Sequence, residues 1–225
     1  MWLTNSSIGR KVIMSVTGVS LILFLTFHAC MNIVAIFDVF GKTGGEHYNW
    51  VCEMLGTNWY ALVGTAALAV LVVLHFVYAL ILTLQNKKAR GSNKYAVTDR
   101  PAKVEWESQN MFVIGLIVVL GLCLHLFNFW WNMMAAELMG APAIEATDGY
   151  RYMCETFGNP VFLIIYLVWF AALWFHLNHG MWSAMQTLGW NGKTWFCRWK
   201  CIGQIYTTII ILMFVAVALV FNFCA

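Results

Sequence analysis

Five stretches of the chain, at about 12–36, 59–84, 110–133, 160–185 and 204–224, contain no Lys, Arg, Asp or Glu. A hydrocarbon core about 30 Å thick is crossed by about 20 apolar residues in a helix, and each stretch meets that length. The sequence therefore predicts an all-α integral membrane protein with five transmembrane helices, folded as one domain over residues 1–225. Composition agrees: 61% of residues are hydrophobic and 10% charged, where soluble domains carry about a quarter charged. Pro160 opens the fourth stretch, at a position where a missing N–H costs nothing.

Charge is divided unevenly between the connecting segments. The N-terminus and the 85–109 and 186–203 loops hold 11 of the 13 basic residues, whereas the 37–58 and 134–159 loops hold seven of the ten acids. By the positive-inside rule the N-terminus is expected to be cytoplasmic and the C-terminus outside. Tryptophans at 50, 59, 106, 130, 131, 190, 195 and 199 crowd the span ends as interfacial anchors do. The start Met1-Trp2-Leu3-Thr4-Asn5-Ser6-Ser7 is polar and lacks a cleavage pattern, so no signal peptide is expected.

Seven cysteines are scattered on or beside the apolar stretches. None belongs to a Cys-x-x-Cys-His, which argues against covalent haem attachment. They do not cluster as iron–sulfur ligands do, and read best as small polarisable packing residues.

Five of the six histidines, His28, His75, His125, His176 and His179, lie inside apolar stretches. An ionisable side chain there marks a functional site by default. For any single one, an imidazole hydrogen-bonded between helices is the ordinary alternative, but one on each of the first four helices is harder to explain that way. At 1.5 Å rise per residue, His28 and His125 sit roughly 22–24 Å from the inner boundary, and His75 and His176 roughly 14 Å from it. Two pairs result, at two depths. Two facing imidazoles supply both axial nitrogens of a haem iron and leave no open position for oxygen, which limits such a centre to electron transfer. The expected metal ligands are thus His28 with His125 and His75 with His176, each pair holding one b-type haem. His179 lies about 4.5 Å deeper than His176, which breaks its match with His75. It is left as a candidate contact for a haem propionate or a quinone, and His47, in a loop, is expected to be solvated.

Small residues accompany these positions: Gly121, Ala79 and Gly180 lie one turn from ligands, and Gly18 and Gly115 each lie ten residues before the outer pair. Room for a porphyrin is one reading, and close packing of membrane helices the other. The segments Cys52-Glu53-Met54-Leu55-Gly56 and Cys154-Glu155-Thr156-Phe157-Gly158 precede the inner-pair histidines by 23 and 22 residues. Helices one–two and three–four therefore look like two copies of one hairpin, with the fifth helix peripheral to a four-helix di-haem bundle. Cys52 and Cys154 are either a disulfide on the outer side or two packing thiols.

With this pattern the chain resembles the cytochrome b subunit of succinate:quinone oxidoreductases, in the single-chain, five-helix, two-haem form of bacterial succinate dehydrogenases and quinol:fumarate reductases. Ser15-Val16-Thr17-Gly18 followed by His28, His75 before a basic loop, and Phe175-His176-Leu177-Asn178-His179-Gly180 carry the resemblance. It implies a multi-pass anchor in the bacterial cytoplasmic membrane for a flavoprotein and an iron–sulfur subunit. Electrons would pass between the iron–sulfur centres, the two haems and menaquinone. The dicarboxylate chemistry would lie on another chain, so no catalytic residue is expected in this one. It implies no nucleic-acid partner, and is compatible with a dimer of complexes.

By the same resemblance Ser15 matches a position near the inner haem's propionate. Trp106 and Lys193 are placed beside it by depth, not by spacing. The 85–109 loop is the expected docking surface for the iron–sulfur subunit. Where some fumarate reductases of this type carry a transmembrane glutamate two residues before the fourth-helix ligand, this chain has Trp174. Glu46, Glu53 and Glu155 are alternatives for proton uptake at an outer quinone site, or solvated loop acids. Competing readings are the cytochrome b of a formate dehydrogenase or hydrogenase, a proton-coupled transporter without haem, and an intramembrane metal enzyme. The last would need carboxylates beside the histidines.

Overall fold

The computed structural model describes residues 2–56, 58–90, 106–140 and 146–224. Most of the expected docking loop (91–105) and the stretch 141–145 lie outside the described residues. After a helical turn at Trp2–Asn5, the elements are α1 (Ser7–Asn32), α2 (Val34–Gly41), α3 (Glu46–Gly56), α4 (Trp59–Arg90), α5 (Trp106–His125), α6 (Gly149–Phe157), α7 (Pro160–Thr187) and α8 (Lys193–Phe223). α5 continues through a π-helical stretch, Leu126–Ala135, into Ala136–Leu138.

Five spans long and apolar enough to cross a membrane result: Ser7–Gly41, Trp59–Ala89, Trp106–Leu138, Pro160–Thr187 and Lys193–Phe223. Each encloses or closely follows one of the charge-free stretches but runs past it, because a helix ends where its terminal backbone groups find caps, not where apolarity stops. Ser6 caps α1 by accepting from the Gly9 N–H at 2.9 Å, so Arg10 and Lys11 fall inside the helix. Asn159 accepts from the Val161 N–H at 2.9 Å, with Pro160 in the first turn of α7.

The helices alternate in direction. One end of the bundle gathers α3 and α6 with the acidic connections; the other gathers the N-terminus, the end of α4 and the start of α8 with the basic ones. These are called the acidic and basic ends below. α7 is the central helix, packed against α1, α5 and α8, while α4 rests mainly on α1.

Burial is therefore distributed differently from a four-helix bundle with a peripheral fifth helix. Within the most apolar stretch of α8, 39% is buried, against none in that of α4. The reason is a row of polar contacts on α8. Thr207, fully buried, lies 2.9 Å from the side-chain amide of Asn178. Trp174 Nε1 donates to Thr208 Oγ1 at 2.9 Å, Asn222 Nδ2 donates to the Phe157 carbonyl at 2.6 Å, and Tyr206 meets Thr26 of α1. Gly203 lets the helices approach until a Cβ there would sit 3.1 Å from Met181. Small residues and interhelical hydrogen bonds are what hold helices together in lipid, where burial of apolar surface gives no preference for helix over lipid tail. The position of Trp174 is thus occupied by a structural tie to α8.

The acidic end is closed by α3 and α6, which contain the two Cys-Glu-x-x-Gly segments. They pack on each other and are joined by Asn49, whose Nδ2 donates to Asp148 at 2.8 Å and whose Oδ1 accepts from the Tyr150 N–H at 2.9 Å. Cys52 and Cys154 are both free thiols, so the disulfide is not formed. Cys52 Sγ instead lies over Gly149, where a Cβ would collide with it. Burial pushes the Cys52 thiol up to about 11, as suits an inert packing residue.

The hydroxyl of Thr207 is expected to matter more than its volume. Thr207→Val keeps the shape and removes the tie to Asn178. It should cost about 1 kcal/mol, within the range of interhelical hydrogen bonds in membranes, read as a lower thermal midpoint in detergent with unchanged helix content.

Candidate metal centres

The rotation of each helix about its axis decides whether histidines at one depth actually meet, and they do. His28 of α1 and His125 at the end of α5 have ring centroids 5.8 Å apart, with planes at 85°. His75 of α4 and His176 of α7 have centroids 6.2 Å apart, with planes at 69°. All four side chains are half-buried. Two imidazoles bound on opposite sides of one metal ion through bonds of about 2.0 Å place their ring centres about 6 Å apart. The spacing and the donor chemistry of both pairs fit a two-histidine axial set. Among the described residues no group of three or more His, Cys, Asp or Glu could hold a metal ion. The candidate centres are therefore two-ligand sites, the kind a macrocycle completes.

The basic-end pair, His75 with His176, has the more developed surroundings. Thr17 Oγ1 lies 3.1 Å from His75 Nδ1, and Gly18 brings α1 so close that a Cβ would stand 3.3 Å from His75 Cε1. On the opposite side Gly115 stands in the same relation to His176, with a Cβ at 3.9 Å from its Cε1. Gly18 and Gly115, each ten residues before a histidine of the other pair, thus serve His75 and His176. The two hairpins repeat one contact: glycine of the first helix against histidine of the second. His176 Nδ1 is buried with no hydrogen-bond partner. Around Gly180, one turn on, nothing comes within 4 Å of a Cβ.

The acidic-end pair sits among aromatic rings. Phe24 stacks on His28 at 5.5 Å, Phe214 of α8 lies 5.8 Å from it, and His125 is flanked by Phe129, Trp169 and Tyr166. Of the two readings of Gly121 the structure favours close packing, because the Trp169 indole covers it and donates to the Val118 carbonyl at 3.0 Å. The small residue serves the packing of α7 on α5. The π-helical stretch starts at the residue after His125; such stretches recur at functional sites. His28 is held from its backbone: Asn32 Nδ2 donates to the His28 carbonyl at 2.7 Å, and Tyr48 of α3 donates to Asn32 Oδ1 at 2.8 Å.

The remaining sequence candidates are dispersed. Ser15 is buried on α1, but the hydroxyl at His75 is that of Thr17, two residues on. His179 pairs edge-on with Trp182 at 5.0 Å and is not the residue facing His75. Trp106 is largely exposed and touches Phe175, the neighbour of His176, at 5.4 Å. Lys193 is exposed at the first residue of α8. Glu155 is tied to Arg151 at 2.7 Å on the surface, and Glu46 and Glu53 are exposed.

Sequence reading missed Asp38, counted there as one loop acid among seven. It is fully buried. Its carboxylate accepts from the Thr43 hydroxyl, from the His47 N–H at 3.2 Å, from His47 Nδ1 at 2.7 Å and from the Tyr48 N–H at 2.7 Å. It caps the first turn of α3 from another helix, satisfying N–H groups that α3 cannot satisfy itself. His47 is therefore a partner of Asp38 and not merely solvated. The only available signal was an acid at the edge of an apolar stretch. Compared with models of protein families, with curated proteins and with solved structures, the chain returned no match.

The Asp38 hydrogen bond and charge raise His47 above its ordinary imidazole value. A raised folded-state value means that this contribution is complete below the unfolded value and is lost as pH rises through the raised one. The thermal midpoint should accordingly fall as pH rises from the ordinary imidazole value through the raised one. His47→Gln should flatten that part of the profile, as read by circular dichroism in detergent.

Proposed function

We propose that this chain is the di-haem cytochrome b anchor of a succinate:quinone oxidoreductase, a succinate dehydrogenase or quinol:fumarate reductase, transferring electrons between an iron–sulfur subunit and menaquinone. The observation that carries the reading is the pair of histidine pairs: two cross-helix imidazole contacts at two levels of one apolar bundle, 5.8 and 6.2 Å between centroids. His28 and His125 hold one haem b, and His75 and His176 the other. Haem b, when bound, supplies reversible one-electron exchange at its iron.

The chain's own residues do the rest. The two imidazoles of each pair would hold one haem and would leave no ligand position open to oxygen or to substrate. The aromatic sleeve of Phe24, Phe129, Trp169 and Phe214 keeps water from the acidic-end pair, and Gly18 and Gly115 let the backbone approach the other. Two levels support a relay across the membrane thickness, which a single pair would not. The basic end, with Arg10, Lys11, Lys87, Lys88, Arg198 and Lys200, faces the cytoplasm of a bacterial inner membrane under this reading and docks the flavoprotein and iron–sulfur subunits there. Reduction or oxidation of the dicarboxylate belongs to the flavoprotein.

The full chain, solubilised from haem-replete membranes, should carry about two protohaems by pyridine haemochrome. They should titrate as two low-spin components, with His28→Ala and His75→Ala each removing a different one. A colourless, folded preparation would overturn the reading and favour a proton-coupled transporter using the same histidines.

A further inference from the structure

Among the described residues, Thr17 is the one side chain with a hydrogen bond to a nitrogen of the four paired histidines. It is buried, and its hydroxyl lies 2.9 Å from the Ile13 carbonyl and 3.1 Å from that of Met14. A threonine inside a helix spends its single hydrogen on the carbonyl one turn back. Its oxygen is then left to accept, and His75 also makes a hydrogen bond to the backbone of Met14, whose carbonyl can only accept. The contact at 3.1 Å therefore runs from His75 Nδ1–H to Thr17 Oγ1, with the Met14 carbonyl as a second acceptor. That assigns the tautomer: the proton is on Nδ1 and the lone pair on Nε2. At Gly18, next in sequence, an added Cβ would stand 3.3 Å from Cε1 of the same ring, tighter than ordinary contact. Across the pair, His176 Nδ1 has no hydrogen-bond partner among the described residues. The two imidazoles of one centre are therefore supported unequally.

We infer that Thr17 is a positioning residue for the basic-end centre, holding His75 in the Nε2-ligating tautomer and lowering that centre's potential relative to one without the bond. The inference rests on the di-haem reading above. A ligating imidazole that donates its other N–H to an acceptor is more basic and better oriented. Greater donor strength favours the ferric over the ferrous state. Among the described residues the acidic-end pair has no equivalent: there the support reaches His28 through its carbonyl, by way of Asn32. The device thus distinguishes two centres that otherwise have the same ligands.

The test is a redox titration of the full chain carrying Thr17→Val or Thr17→Ser, with haem content measured on each. Thr17→Val removes the acceptor at nearly constant volume. It should shift one component of the two to a more positive midpoint, or release that component alone, and leave the other in place. Thr17→Ser should restore the wild-type midpoint and content. The component affected should be the one that His75→Ala removes. An unmoved midpoint in Thr17→Val at full haem content overturns the inference, as does loss of both components together or equal damage in Thr17→Ser, which would mark a packing role. All three overturning results leave the di-haem reading standing, whereas a wild-type chain without haem overturns that reading itself.

Discussion

A polar side chain in hydrocarbon has no water to fall back on, so it must find its partner within the bundle. Much of the architecture follows from that constraint. The contacts Thr17–His75, Thr26–Tyr206, Asn178–Thr207, Trp174–Thr208 and Trp169–Val118 each join two different helices. Between them they set which face α1, α4, α5, α7 and α8 turn inward. Apolar contact alone could not do so, since a lipid tail meets a leucine as well as another leucine does. The histidine pairs are part of this pattern as much as its product.

α7 carries the heaviest share. Its residues reach α1, α5 and α8, and the interval from Trp169 to Asn178 includes a tie to α5, two ties to α8 and the histidine facing α4. Position 174 illustrates how one site serves the fold. A carboxylate there would need its own partner in lipid, whereas the indole both fills space and donates to α8. By contrast α4 gives one main contact surface, to α1, and leaves the rest of its length to its surroundings.

The two hairpins are alike in plan and unlike in detail. In each, a glycine of the first helix lies against the histidine of the second, at Gly18–His75 and Gly115–His176. In each, a short helix bearing Cys-Glu-x-x-Gly closes the acidic end. Yet only the first has a hydroxyl at the histidine, and only the second has a π-helical stretch after its other histidine. The first hairpin also buries Asp38, which couples the break after Asn32 to the start of α3. Repetition thus supplies the frame, and the departures from it distinguish the two centres.

The number of spans, their alternation and the two depths of the histidines were legible in the sequence, because hydropathy and a rise of about 1.5 Å per residue are properties of one helix at a time. Rotational phase was not. α5 and α7 are apolar on every side, so no stripe tells which residues turn inward. For this reason the hydroxyl of Thr17 at His75 went unmarked, Gly121 stayed open between space and packing, and α8 was read as peripheral. Asp38 was hidden for a related reason: a carboxylate is buried only where several donors converge, and Thr43, His47 and Tyr48 reach it only once α2 and α3 have folded back on each other. The sequence by itself determined that five helices cross the membrane and at what depth each histidine sits; the tertiary structure alone decided which faces meet, because that choice depends on polar partners many residues apart.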